Sequence, residues 1–169
     1  MQFATKARAL RLAGALIAVL AIAACAKSPA DDASLAGAGA GAGGYAAPGS
    51  QQDFVVNVGD RVFFDSDSVE LTPTAQATLD KQARWLQQYN RYSFTIEGHA
   101  DERGTREYNF ALGAQRAEAT KNYLAARGIS PARMHTVSYG KERPVAVCND
   151  ISCWSQNRRA VTVLGGGQS

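Results

Sequence analysis

Apolar positions fall into three regimes along the chain. Residues 12–24 form one continuous run, LAGALIAVLAIAA, preceded by Lys6, Arg8 and Arg11. At about 13 residues it is too short for a hydrocarbon core that needs roughly 20. Its basic start and small-residue end are the layout of an export signal. From Ala26 to Gln52 periodicity vanishes into Ala, Gly, Ser, Asp and Pro, with an alternating Gly/Ala stretch from Gly37 to Gly44. Such a segment cannot bury enough apolar surface to fold. Across residues 53–169 the apolar period switches between two and about 3.6, so strands and helices alternate. Phe54-Val55-Val56 and Arg61-Val62-Phe63-Phe64 read as short strands around a Gly59-Asp60 turn. Thr72, with Pro73 in the first turn, caps a predicted helix whose Ala75, Leu79, Ala83 and Leu86 share one face. Tyr92 to Gly98 alternates as a strand, and a second helix runs from about Glu107 to Arg127, stopping at Gly128. Met134 to Ser138 and Ala160 to Leu164 read as the last strands. This order predicts an α/β domain, an α+β sandwich in which helices cover a sheet.

The end of the apolar run refines its reading. Ile22-Ala23-Ala24-Cys25 resembles the lipobox of bacterial lipoproteins, which implies cleavage before Cys25 and two or three acyl chains on it. One chain, at about 0.8 kcal/mol per buried methylene, anchors only marginally, and stable anchoring takes a second. Ala26 and Lys27 stand where the usual inner-membrane retention signal has Asp, which points to the outer membrane with the domain facing the periplasm. The predicted organisation is a signal peptide over 1–24, a lipidated linker over 25–52 and a folded domain over 53–169. As a Gly-rich coil the linker would span roughly 30 Å, and stretched it would reach on the order of 90 Å.

Charge and cysteine usage then exclude function classes. The signal's three basic residues account for the whole formal +3, leaving 15 basic against 15 acidic residues, so nucleic acid is not an implied partner. Cys148 and Cys153 sit five apart in an oxidising compartment. A metal pair and a redox site are the rivals, but the spacing with no nearby histidine fits neither zinc nor C-x-x-C, and a disulfide is the expectation. A wall hydrolase would need a metal triad, a Cys/His pair or spaced carboxylates, and none is visible; no enzyme, metal or cofactor is expected.

Charged residues concentrate in Gly98-His99-Ala100-Asp101-Glu102-Arg103-Gly104-Thr105-Arg106-Glu107-Tyr108-Asn109. With Arg61 to Asp67, Ser138 to Glu142 and Asn157-Arg158-Arg159-Ala160-Val161, these motifs make the chain resemble the OmpA-like peptidoglycan-binding family. The resemblance implies that family's βαβαβ core, a mixed sheet with helices on one face. It also implies a ligand, the meso-diaminopimelate of the peptidoglycan stem peptide, whose free end carries an ammonium beside a carboxylate. An acid should accept from the ammonium and a guanidinium should fork onto the carboxylate. Asp101 and Arg116 match the family's residues for these roles. Asp67, Ser66 and Ser68 match the opposing loop, where several relatives have Phe and Lys at the two serine positions, so an aromatic wall is missing. Arg103, Thr105, Asn109 and Leu112 match positions that shape the pocket. The implied partners are peptidoglycan, outer-membrane lipid through Cys25 and the periplasmic propeller protein TolB on an overlapping surface, with other Tol or outer-membrane proteins as further candidates. The implied role ties outer membrane to wall during constriction and division.

Without the resemblance, the residues have plainer readings. Arg116 would pair with Glu118 or other helix acids on a solvated face, and Asp101 would be a loop acid near a helix start, worth about 0.3–1 kcal/mol there. His99, two residues before Asp101, suggests catalysis or metal, but only His135 could join it, which favours a structural histidine with its hydrogen bonds satisfied. Asn157-Arg158-Arg159 reads as a basic patch, or as edge-capping or salt-bridging residues beside the last strand.

Overall fold

The computed structural model describes residues 46–165. The apolar run, Cys25 and most of the Gly/Ala-rich segment lie outside the described residues. The domain contains helix α1 (Gln51–Asp53), a π-helical turn (Phe54–Val58), strand β1 (Arg61–Phe63), helix α2 (Pro73–Gln88), strand β2 (Phe94–His99) and helix α3 (Arg106–Ala126). A 3₁₀ turn (Pro131–Arg133), strand β3 (Met134–Gly140), helix α4 (Ile151–Asn157) and strand β4 (Arg159–Leu164) follow. The four strands form one mixed sheet in the order β1-β4-β2-β3. β2 and β3 are parallel across the α3 crossover, whereas β4 runs antiparallel to both β1 and β2. The expected α/β class is present.

Local chemistry explains most boundaries. Thr72 Oγ1 accepts from Ala75 N at 3.2 Å and opens α2, whose Leu79 and Leu86 are fully buried. Thr105 Oγ1 accepts from Tyr108 N at 3.2 Å and opens α3, and Gly128 ends it at φ +89°. Phe94 and Ile96 of β2 join these helices in the core with Phe54 and Leu124, each side chain worth about 1.5–3 kcal/mol when fully buried.

Three expectations change. Phe54-Val55-Val56 is not a strand: Phe54 is buried, while Val55 and Val56 are 48% and 67% exposed, which no strand alternation produces. Asp53 sets the turn instead, accepting from Gly49 N, Asn57 Nδ2 and Trp85 Nε1 at 2.8 Å each. The chain just before it, placed in the linker on composition, is bonded to the domain, with Gly49 O accepting from Tyr92 Oη at 2.8 Å and Arg91 at 2.6 Å. The short helix α4, with Asp150 as its cap, has too few turns to show a period. Finally, β4 is an inner strand, so Arg158 and Arg159 cap no sheet edge.

One contact fixes the frame around the site. A Cβ on Gly98 of β2 would lie 1.8 Å from Gly113 O of α3, and a Cβ on Gly113 would lie 2.4 Å from Ser138 Oγ and 2.9 Å from Gly98 O. The helix therefore rests backbone to backbone on the strand. This brings Arg116, one turn further along α3, against the end of β2.

Candidate functional site

Where β1 and β2 end and α3 begins, their loops enclose a cleft of about 250 Å³. Of the nine residues expected at the site, Ser66, Asp67, Asp101, Arg103, Asn109, Leu112 and Arg116 line it, together with Gly104 and Tyr108. The other two serve its walls. Ser68 presents its carbonyl to Arg116 and its hydroxyl to Glu70 N at 3.1 Å, and Thr105 is the α3 cap.

Arg116 has no carboxylate partner among the described residues; Glu118 pairs with Lys121 at 3.4 Å instead. Its guanidinium, fully buried, donates to three backbone carbonyls: Nε to Ser68 at 2.9 Å, Nη1 to His99 at 2.9 Å and Nη2 to Asp65 at 3.1 Å. It also lies over the Phe64 ring, 5.2 Å from the centroid. Three of five N–H groups thus hold the two facing loops together, and two remain for a ligand. Burial, followed by repulsion from Arg158, lowers its pKa to about 10, so it stays cationic at neutral pH.

Asp101 is surrounded by donors. Oδ1 accepts from Arg103 N and Nε, each at 3.2 Å, and Oδ2 accepts from Arg103 Nη2 at 2.7 Å and Arg158 Nη1 at 3.3 Å. An ionised carboxylate offers about four acceptor sites, so these donors fill it. Burial pushes its pKa up, but the Arg103 and Arg158 hydrogen bonds outweigh that and hold it below the ordinary carboxylate range. Arg103 also donates from Nη2 to Ser66 Oγ at 2.7 Å, spanning the cleft mouth. Opposite, Asp67 adopts φ +56°, tolerable for a short polar side chain, and its Oδ1 accepts from Tyr108 Oη. That bond raises the Tyr108 pKa. Asn109 Nδ2 donates to Arg103 O at 2.6 Å and shapes the floor.

Two site residues escaped the sequence reading. Arg158, 6% exposed, joins Asp101 to Phe64 O, to which its Nε donates at 3.0 Å; the triplet Asn157-Arg158-Arg159 was the signal, and salt bridging proves its role. Tyr108 supplies an aromatic ring on the wall where Ser66 offers none. Its position, one residue before Asn109 in the charged loop, was the available hint. His99 is buried as a structural histidine would be, but its hydrogen bonds are not satisfied as expected: neither ring nitrogen has a partner among the described residues. Among those residues, no group of three or more His, Cys, Asp or Glu is placed to hold a metal. Cys148 and Cys153 are joined, with Cα atoms 5.7 Å apart.

A larger groove of about 610 Å³ lies along Phe110, Tyr139 and Gly140. Arg106 and Glu142 on its wall are paired with each other at 3.2 Å. Of these two, the smaller cleft is the one that brings carboxylates, Asp67 and Asp101, to a buried guanidinium, Arg116. It can take a small zwitterion, an ammonium on the carboxylates and a carboxylate on the guanidinium groups.

Comparison with known proteins bears on family and fold. The OmpA family model matches residues 63–158. The peptidoglycan-associated lipoprotein of Rhizobium meliloti (strain 1021) is 66% identical over 157 residues, 92% of this chain and 88% of the relative. That of Pseudomonas aeruginosa is 47% identical over 123 residues, 72% of this chain and 73% of the relative. The crystal structure of the peptidoglycan-associated lipoprotein from Burkholderia pseudomallei superposes with TM-score 0.61 at 44% identity, over 63% of this chain and 90% of that one. The C-terminal domain of Helicobacter pylori MotB shares the fold, with TM-score 0.59 at 20% identity over 63% of this chain and 84% of that one.

Proposed function

This chain belongs to the OmpA family, among its peptidoglycan-associated lipoproteins, and from that premise we propose that it binds peptidoglycan noncovalently, without catalysis, through the Asp101/Arg116 cleft. The proposed ligand is the free end of meso-diaminopimelate in the stem peptide. The observation that carries this reading is the convergence in one cleft of Asp101 and Asp67 with Arg116 and Arg103, a charge pattern that matches an ammonium and a carboxylate on one carbon. The ammonium seats on Asp101 by displacing Arg103, which is 44% exposed, while buried Arg158 stays. The carboxylate takes the two N–H groups that Arg116 does not donate to carbonyls.

With the lipid that Cys25 is proposed to carry, the protein ties the outer membrane to the wall from the periplasmic side. We place it in the Tol system, where TolB docks over the same loops and excludes the wall, so that the tether can be released and remade during division.

The test is sedimentation with purified peptidoglycan. Asp101→Asn, which keeps the shape and removes the charge, should lose binding while the domain still folds, with a lowered melting temperature because buried Arg158 loses its anion. A meso-diaminopimelate tripeptide should compete off the wild type. Undiminished binding by the variant overturns the proposed site.

A further inference from the structure

The disulfide-linked segment has no part in the site as described, yet it touches it. Trp154, on α4 and next to Cys153, lies over the Arg103 guanidinium, 4.4 Å from carbon to ring centroid. Its indole N–H donates to Glu102, the residue before Arg103. The Cys148–Cys153 bond ties α4 to the preceding loop, and Asn157 Oδ1 clamps that loop by accepting from Val145 N at 2.9 Å and Ala146 N at 3.2 Å. An exposed arginine otherwise samples many rotamers. Here one face is stacked, and the edge is bonded to Asp101 and Ser66.

We propose that Trp154 is a positioning residue that makes Arg103 the discriminator between a zwitterionic ligand end and a bare amine. This rests on the peptidoglycan reading above. Any ammonium that reaches Asp101 must replace Arg103 there, because the carboxylate's acceptor sites are full. A ligand with a carboxylate on the same carbon gives the displaced guanidinium a new anion within reach, so one ion pair is exchanged for another. A bare amine, such as a lysine side chain, gives nothing in return and leaves Arg103 without a carboxylate partner. The exchange needs the guanidinium to stay at the cleft mouth, and the Trp154 face keeps it there in both states.

Calorimetry of the folded domain with two probes tests this: the tripeptide L-Ala–γ-D-Glu–meso-diaminopimelate and its L-lysine counterpart. The wild type should prefer the first. Trp154→Ala should weaken it about three- to tenfold, the range of a partly exposed cation–π contact, and should change the lysine peptide by less than about twofold on the same reasoning. Trp154→Phe, which keeps a ring but not the indole N–H, should restore most of the preference. Replacing both cysteines with alanine should shift the preference as Trp154→Ala does, and the two changes combined should add little. Equal weakening of both peptides by Trp154→Ala marks a merely structural effect and overturns the proposal, as does an unchanged preference. A wild type that binds neither peptide overturns the peptidoglycan reading and this inference with it; a wild type that binds normally beside an indifferent Trp154→Ala overturns this inference alone.

Discussion

Arg116 carries two burdens that separate experimentally. Removing its side chain takes a donor from three carbonyls, those of Ser68 and His99 and that of Asp65, which keeps Ser68 N at 3.3 Å. Arg116→Ala should cost about 2–4 kcal/mol in urea unfolding, from orphaned buried acceptors and a vacated volume. Arg116→Lys keeps the charge but not the planar fork, and should recover part of that stability while still failing to sediment with the wall. Equal stability of Arg116→Ala and wild type would show that the carbonyl bonds contribute nothing net. His99 makes a pH argument. Burial first, then Arg159 and Arg143, depress its pKa to about 4, against 6.5 when unfolded, although Glu97 lies 3.6 Å away. Between those values the unfolded chain binds a proton that the folded one refuses, so stability falls as pH drops from 6.5 towards 4 and is flat above. His99→Asn should flatten that slope in denaturation midpoints measured across the window. The family resemblance pointed to Asp101 and Arg116, and both line one cleft. It could not show that Arg103 already fills Asp101, since that depends on where a loop folds back.

At the scale of elements, the legible parts are those whose cause is local. Thr72 and Thr105 cap their helices with their own hydroxyls, Gly128 stops one of them, and the Phe94/Ile96 alternation marks a strand, so periodicity and caps placed α2, α3 and β2 within a residue or two. The Phe54–Val58 turn was illegible in part because one of its causes is remote: besides Gly49 and Asn57, Trp85, 32 residues on, donates to Asp53. Sheet order also came from outside the pattern, since an inner β4 reads like any apolar strand. The Gly98/Gly113 contact gives a prediction at this scale. In Gly113→Ala the new Cβ meets Ser138 Oγ and Gly98 O, and relief requires α3 to move away from β2. Overpacking of this kind costs about 1–3 kcal/mol. Because α3 carries Asn109, Leu112 and Arg116, the same variant should also weaken peptide binding, measurable by calorimetry on the still-folded protein. A destabilised variant with unchanged affinity would mean that the cleft is held by its loops rather than by the helix.

At the scale of the whole molecule, anchor and grip are separable by chemistry. The cleft is built entirely from residues of the folded domain, each placed by contacts among residues 46–165. The proposed anchor is a thiol at Cys25, and the sequence between it and that domain is Gly/Ala-rich. A tether needs both ends but gains nothing from allosteric traffic between them; it needs only a linker long enough for both to be engaged. Cys25→Ser should therefore move the protein from the membrane to the soluble periplasmic fraction while leaving its sedimentation with purified peptidoglycan unchanged. Asp101→Asn should do the reverse, staying with the membrane and losing the wall. In cells each variant alone should loosen the envelope, read as leakage of a periplasmic enzyme, and combining them should add little, because a bridge cut at one end is already open. Additive leakage would indicate that anchor and cleft serve separate tasks.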